Sequence, residues 1–290
     1  MVEDSLGDRM KAYEEVSKGT LVRRMPVIIR LDGVAFHSFC KGFKKPFDPL
    51  FMKTMQATMK YLCENVQGCV LGYTQSDEIS LVLVDYKKLD SSAWFANRIQ
   101  KMASVSAALA TFAFNKYFND FYLEQLAEKG ETDSFDLVYD KRRRQGAYFD
   151  SRVFNVPKED VTNCIYWRQK DAETNSILSL AQSVFPQKEL HKLSLKDTIT
   201  KLEQEKGIVW GNLPATQKRG SCCIKQQYFK DDQGKELTAD TVYQSPEGGL
   251  FWRENNIEVK YPVTFYSRWI IDENIPRFKE EGREYIEQLI

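Results

Sequence analysis

Apolar positions along the chain recur with the periods of both strands and helices, which predicts an α+β protein. Pro26-Val27-Ile28-Ile29-Arg30-Leu31 is a β-branched apolar run that reads as a buried strand, ending at Asp32-Gly33. An amphipathic helix is expected ahead of it, over about Ser5 to Ser17. Asp48-Pro49 starts a second helix, with Asp as N-cap and Pro at the first helical position. Met52, Met55, Met59 and Leu62 are spaced to share its apolar face. Two short strands, Cys69 to Thr74 and Ile79 to Val84, flank Gln75-Ser76-Asp77-Glu78 and read as a hairpin. A long helix follows, from about Ser92 to Leu126. This β-α-β-β-α order begins a ferredoxin-like layout, with helices on one face of an antiparallel sheet. The other face is left free for chemistry.

Past Asp133 the pattern turns polar and then basic at Lys141-Arg142-Arg143-Arg144, and the domain boundary is placed there. The expected organisation is a first domain over 5–138, a second α+β lobe over 139–229 and a C-terminal extension over 230–290. The second lobe is read as a strand over Ala147 to Val156, helices over Cys164 to Phe185 and Leu195 to Lys206, and a strand over Gly220 to Phe229. Turns are expected at Asp231 to Gly234 and Pro246 to Gly249, and a last helix over Pro276 to Ile290.

Composition narrows the function classes. The 290 residues include 41 Lys plus Arg and 41 Asp plus Glu, so a nucleic-acid surface would be a local patch balanced by acid elsewhere. Apolar stretches fall short of the roughly 18 residues that cross a bilayer, and a cytoplasmic protein is expected. Two histidines, His37 and His191, argue against an imidazole-rich zinc site. The six cysteines show no C-x-x-C spacing and read as reduced, packed thiols. There is no P-loop, G-x-G-x-x-G or G-x-S-x-G.

The sharpest chemical feature is a set of carboxylates where adjacent strands end. Asp32 closes the first strand, and Asp77 with Glu78 sits at the hairpin tip, side by side with it in such a layout. Grouped acids repel unless a cation neutralises them, and oxygen-only ligands suit Mg²⁺. Two such ions would stabilise the attacking and leaving oxygens of phosphoryl transfer. Gly33, lacking Cβ, would let a phosphate or metal approach the backbone. On spacing alone, Asp-Gly after a strand is also an ordinary turn, and Asp-Glu at a hairpin tip an ordinary solvated pair. His37 between aromatics reads equally as a packed residue, and Lys44-Lys45 as a surface loop. Lys141 to Arg144 are either RNA contacts or a solvated run. Trp167 is either a stacking platform or core.

The wording and order of these strings resemble the tRNA(His) guanylyltransferase superfamily, the 3′-to-5′ nucleotide-adding polymerases. The matching strings are Arg30-Leu31-Asp32-Gly33 with Phe36-His37, Phe43-Lys44-Lys45-Pro46 and Gly72 to Glu78. They continue with Phe149-Asp150-Ser151-Arg152, Tyr166-Trp167-Arg168-Gln169 and Lys218-Arg219-Gly220, over about residues 5 to 228. The resemblance implies a polymerase-palm-like first domain in which Asp32, Asp77 and the Gly33 carbonyl bind two Mg²⁺ ions and Glu78 supports them. It implies that Lys45 contacts the triphosphate, that His37 helps the activation step, and that Phe36 and Ser76 belong to the nucleotide site. Arg30, Arg98 and Lys101 would handle triphosphate or the RNA 5′ end, and Asp150, Arg152, Arg168 and Lys218 would touch tRNA or shape the site.

The implied reaction uses ATP, GTP or other nucleoside triphosphates and tRNA. The tRNA 5′ phosphate is adenylylated, then displaced by the 3′-hydroxyl of the incoming nucleotide with loss of AMP. Where eukaryotic members carry a His-Ile-Asn-Asn-Leu-Tyr-Asn string, this chain reads Glu173-Thr174-Asn175-Ser176-Ile177-Leu178-Ser179, and Val34 stands where a basic residue is common. These departures resemble the bacterial and archaeal Thg1-like branch, which implies templated repair of 5′-truncated tRNA. The alternatives are addition of one guanosine to tRNA(His) and a non-catalytic tRNA-binding module. A homotetramer is expected by resemblance.

Overall fold

Val27, Ile28, Ile29 and Leu31 are at most 3% exposed, so the first strand is apolar on both faces and must be covered on both. A computed structural model describes residues 5–129, 133–230, 234–237, 242–244, 250–254, 257–259 and 264–290. Its helices are α1 (Leu6–Glu15), α2 (Phe36–Phe39), α3 (Pro49–Asn65), α4 (Ile99–Lys129), α5 (Ser134–Gln145), α6 (Val161–Val184), α7 (Gln187–Leu190), α8 (Leu195–Lys206), α9 (Ala215–Arg219) and α10 (Glu284–Glu287). The strands are β1 (Val27–Gly33), β2 (Cys69–Gln75), β3 (Glu78–Leu83), β4 (Phe149–Asn155), β5 (Ser221–Lys230), β6 (Glu236–Leu237), β7 (Val242–Gln244), β8 (Leu250–Glu254), β9 (Ile257–Val259) and β10 (Thr264–Asp272). Among the described residues no helix is long and apolar enough to cross a membrane. The chain divides into two compact units, 1–223 with 271–290, and 224–270.

In the larger unit β1 pairs antiparallel with β3 on one side and β4 on the other, β2 pairs with β3, and β5 lies beyond β2. The β1-α3-β2-β3-α4-β4 sequence with spatial order β2-β3-β1-β4 is the complete ferredoxin-like unit. The expected boundary at 138 therefore moves. Residue 138 lies inside α5, and the unit closes only when β4 takes the free edge of β1. An unpaired edge of so apolar a strand would leave its backbone groups without partners, which is why the sixth element belongs to the same body.

Helices α3 and α4 cover one face. Gly72 of β2 admits α3 closely, since a Cβ there would sit 2.6 Å from Cys63 Sγ. Phe36, Phe39, Phe43, Phe114, Phe118 and Tyr139 pack ring against ring in this layer. Asp48 caps α3 as expected, accepting from Phe51 N at 2.9 Å, and its other oxygen accepts from Lys44 N and the Tyr139 hydroxyl. Burying that carboxylate requires these partners, so it also orders the loop carrying Lys45.

Four expectations change here. The opposite face is not bare, because α6 lies across it and joins it through the Arg168–Glu78 pair described below. The helix expected from Ser92 begins only at Ile99, after a turn in which Phe95, Ala96 and Asn97 all have positive φ. The basic run is the last turn of α5, where cations suit the helix dipole. There Arg143 and Arg144 pair with Asp140 and Arg142 donates to the Ser38 carbonyl, while Lys141 and Arg144 stay exposed, so any phosphate contact would fall to those two. The helix expected over 276–290 is cut to a 3₁₀ turn at Glu280–Arg283 running into α10, because Gln169 of α6 clamps the backbone ahead of it: its Nε2 donates to Pro276 O and its Oε1 accepts from Phe278 N.

The smaller unit holds Ile224 to Lys230 of β5, which pairs with β6, and a three-stranded β7-β8-β9 sheet. Tyr228 and Tyr266 stack at 5.5 Å in it. Residues 231–233 of the turn expected at 231–234, and all of the turn expected at 246–249, lie outside the described residues.

Candidate active site

Alternation along β1 sends Arg30 and Asp32 to the same face of the sheet, and the register decides what they meet. Asp32 lies opposite Glu78 on β3 and opposite Asp150 on β4. Arg30 lies opposite Ser80 and Arg152. The face thus carries a row of three acids across three strands and, two residues back, a row with two arginines. Asp77 joins the acids through the hairpin. Gln75 pairs with Glu78, leaving Ser76-Asp77 as a two-residue loop with Ser76 at φ +50, and Gly33 N donates to the Asp77 carbonyl at 3.1 Å. The tip is laced to the end of β1. A Cβ on Gly33 would lie 2.3 to 2.7 Å from the Phe36 ring, so the glycine is required by packing.

Burial, first of all, raises the Asp77 carboxyl above its usual range; hydrogen bonds from its own backbone and Ser76 oppose this, and the charge of Asp32 adds to it. Glu78 is also raised, chiefly by burial, against the pull of Arg168. Arg168 grips it with both arms: Nε donates to Oε1 at 2.7 Å, and Nη2 lies 2.7 Å from Oε2 and 3.0 Å from Asp171 Oδ2. The Glu78 and Arg168 side chains are 9% and 12% exposed. Both Glu78 oxygens are committed, so Asp32, Asp77 and Asp150, which only Arg152 approaches at 3.8 Å, are the acids left to bind something else.

A carboxyl raised in the folded state binds protons more readily there than in the unfolded chain, so it costs stability as pH rises through and above its folded pKa. Asp77→Asn removes that cost. In metal-free buffer at neutral pH the variant should unfold at a higher temperature than the natural protein, and the difference should shrink towards acid pH. Thermal unfolding followed by circular dichroism checks this, and an Asp77→Asn midpoint below that of the natural protein would contradict it.

Two cavities open at the hairpin. One of about 330 Å³ is bordered by Arg30, Asp32, Asp77, Arg152, Trp167 and Arg168. The other, about 150 Å³, is walled by Phe47, Met52 and Met55 of the α3 side and reaches Lys218. Gln75, Ser76 and Asn175 line both. Among the described residues no three His, Cys, Asp or Glu side chains converge on one point. A cation here has two carboxylates, a number that Mg²⁺ commonly takes while keeping waters and phosphate oxygens.

The fold brings together Arg30, Asp32, Gly33, Ser76, Asp77, Glu78, Arg152 and Arg168, with Asp150 beside Arg152 at 3.8 Å. Lys218 borders the smaller cavity, its ammonium on the Gly211 carbonyl. Lys45 is exposed on its loop. The Cys40 thiol, pushed up to about 12 by burial and by Asp77, is pulled back by Lys45, so acid and lysine flank the same residue. His37 is exposed rather than packed, and its neighbours Phe36 and Phe39 take the interior. Phe36 itself is 2% exposed among four rings, so its side chain shapes the core.

Arg98 and Lys101 are not brought to the acids. Ser106 meets Ser151, opposite Leu31, and Thr111 accepts from Phe149 N, opposite Gly33. Helix α4 therefore approaches the acid end only after several turns, on the other face, while Lys101 rests on the Phe95 ring at 4.7 Å. Trp167 is 54% exposed, which rules out a core role. Sequence reasoning missed Gln75 and Asp171; the i, i+3 spacing of Arg168 and Asp171 on a helix was the available signal.

A family model described as tRNA(His) guanylyltransferase (Thg1) matches residues 7–157. A bacterial tRNA(His) guanylyltransferase (Thg1)-like protein solved with ATP is 37% identical, each chain covering 99% of the other, with a TM-score of 0.75. Its counterpart in complex with GTP is 36% identical over the same share, with a TM-score of 0.70. A probable tRNA(His) guanylyltransferase of Drosophila melanogaster is 26% identical over 259 residues, 85% of this chain and 82% of the relative.

Proposed function

The chain belongs to the tRNA(His) guanylyltransferase (Thg1) family of nucleotidyltransferases, and from that premise we propose that it adds nucleotides to the 5′ end of tRNA, in the 3′-to-5′ direction, as templated repair of truncated molecules. The observation carrying this reading is that Asp32 and Asp77 border the larger of two cavities, beside Gln75, Ser76 and Asn175, which line both. The larger is bordered by arginines and the smaller by apolar side chains. A nucleoside triphosphate needs both environments: its base suits the apolar cavity and its phosphates the charged one.

Asp32, Asp77 and the Gly33 carbonyl would hold Mg²⁺, which when bound offsets charge on the reacting phosphates. Ser76 and Lys218, which border the smaller cavity, and Lys45, on the loop that Asp48 orders, would bind and orient the triphosphate. His37, exposed near the acid end, would carry a proton during activation. Arg30 and Arg152, which border the larger cavity, would contact the RNA backbone. Both steps are in-line displacements on phosphorus, so holding the partners in place supplies much of the rate. First the tRNA 5′ phosphate attacks ATP at its α-phosphorus and releases pyrophosphate. The incoming nucleotide's 3′-hydroxyl then attacks the 5′ phosphorus and releases AMP. A tetramer remains part of the proposal, checked by light scattering on the purified chain.

The test supplies a 5′-monophosphorylated tRNA lacking its first nucleotide, with ATP, Mg²⁺ and each triphosphate in turn, beside full-length tRNA(His). Extension only by the nucleotide complementary to the 3′ strand is expected. Guanosine addition to full-length tRNA(His) whatever base it faces would replace repair with the guanylyltransferase reading, and binding without product would reduce the chain to a tRNA-binding module.

A further inference from the structure

We propose that Arg30, Arg152 and Trp167 form a subsite for the 5′-terminal nucleotide of the RNA acceptor, taking its first internucleotide phosphate between the arginines and its base on the indole. The inference rests on the RNA 5′-end reading above and assigns to the RNA the part of the larger cavity that the incoming nucleotide does not need.

Arg30 and Arg152 face each other directly across antiparallel β1 and β4. Like charges in that position destabilise a sheet, so the pair has an electrostatic deficit that an anion would fill. Sheet carboxylates offset it only in part: Glu78 attracts Arg30 without contact, its own oxygens being held by Arg168, and Arg152 reaches Asp150 only at 3.8 Å. Each arginine stands two residues back along its strand from Asp32 or Asp150, about 7 Å at strand rise, a spacing on the scale of one nucleotide of backbone. A terminal phosphate at the acids therefore puts the next phosphate at the arginines.

Trp167 supplies the base contact. Its ring is 54% exposed and borders the same cavity. It is held rather than loose, with the Arg168 guanidinium 4.6 Å and that of Arg30 5.5 Å from its centroid. Arg168 is itself pinned by Glu78 and Asp171. A fixed, solvent-facing indole beside a cationic row is the arrangement by which single-stranded nucleic acid is gripped without sequence preference. That indifference suits an enzyme whose acceptor base changes at every cycle. The smaller cavity, by contrast, lies on the α3 side of Ser76 and Gln75, away from β4, so the incoming nucleotide and the RNA end approach from opposite sides of the hairpin.

The experiment measures binding of a 5′-monophosphorylated acceptor-stem RNA and of the same RNA with its first internucleotide linkage replaced by a neutral methylphosphonate. The full chain and its Arg152→Gln, Trp167→Ala and Trp167→Phe variants are compared. The natural protein should prefer the charged RNA, and Arg152→Gln should lose that preference and lower the salt slope by about one. Trp167→Ala should weaken binding about ten-fold or more, the cost of one lost base stack, and Trp167→Phe should recover most of it. Equal affinity of the natural protein for both RNAs, or undiminished binding by Trp167→Ala, would overturn the subsite. Extension assays run beside these measurements separate the two claims: absence of product from the natural protein strikes the catalytic reading, while the binding comparison alone decides the subsite.

Discussion

Asp77→Ala should abolish nucleotide addition, by on the order of a thousand-fold or more, while leaving RNA affinity nearly unchanged. Charge stabilisation by a bound cation is worth several kcal/mol in phosphoryl transfer, and each 1.4 kcal/mol is about ten-fold in rate. Asp77 and Asp32 border the larger cavity with oxygens free to hold that cation, whereas Arg168 occupies both oxygens of Glu78. The arginines proposed to hold the RNA stand on β1 and β4, two residues along from Asp32 and Asp150 and not on the hairpin tip, so binding should not depend on Asp77. Single-turnover extension and filter binding on the same preparations measure both quantities. A parallel collapse of the two would mean that Asp77 holds the fold and not the reacting phosphates. The stability gain expected of Asp77→Asn guards against that confusion.

Arg168→Ala should be the most destabilising of the substitutions at this site. It strands the Glu78 carboxylate, nearly buried and next to Asp32, without the guanidinium that binds both its oxygens, leaving only the weaker attraction of Arg30. Breaking such a pair from one side costs about 3 to 5 kcal/mol. The Glu78 carboxyl, already raised by burial, would rise further, so the deficit should grow as pH increases through the carboxyl's folded range. Adding Glu78→Gln should restore much of the stability, because a neutral amide tolerates burial better. It should not restore activity, since Trp167 loses the guanidinium at 4.6 Å that fixes it. Denaturant unfolding of the single and double variants across pH gives the cycle. Equal stability of Arg168→Ala and the natural protein would show the pair to be unimportant.

The ferredoxin-like core was legible because local signals agree with one another. The β-branched run of β1, the Asp48-Pro49 start of α3, the methionine face and the hairpin around Ser76-Asp77 each specify an element and its period, and the observed β1, α3, β2 and β3 lie close to those positions. Asp32, Asp77 and Glu78 were legible for the same reason, since strand ends and hairpin tips can be read from neighbours in the chain.

Other features depended on partners far away in sequence. That β4 completes the sheet, moving the boundary past 138, follows from the need of β1 for a partner on its open edge, which no local pattern around residue 150 announces. The W-R-Q string is read locally as one motif, yet its three side chains part company. Trp167 faces the cleft, Arg168 takes Glu78, and Gln169 clamps the backbone at Pro276 and Phe278. That same clamp shortens the final helix, overriding a favourable local propensity because a buried amide must satisfy its donor and acceptor.

What the sequence determined by itself was the order and type of the elements and the presence of acids at the ends of adjacent strands, because period, capping and turn chemistry act over a few residues. Only the tertiary structure decided which acid is free and which is neutralised, that Arg30 meets Arg152, and that Arg98 and Lys101 lie away from the cleft. Those are questions of register and of which helix covers which face, set by pairings 90 residues or more apart and by the burial that forces each charge to find a partner.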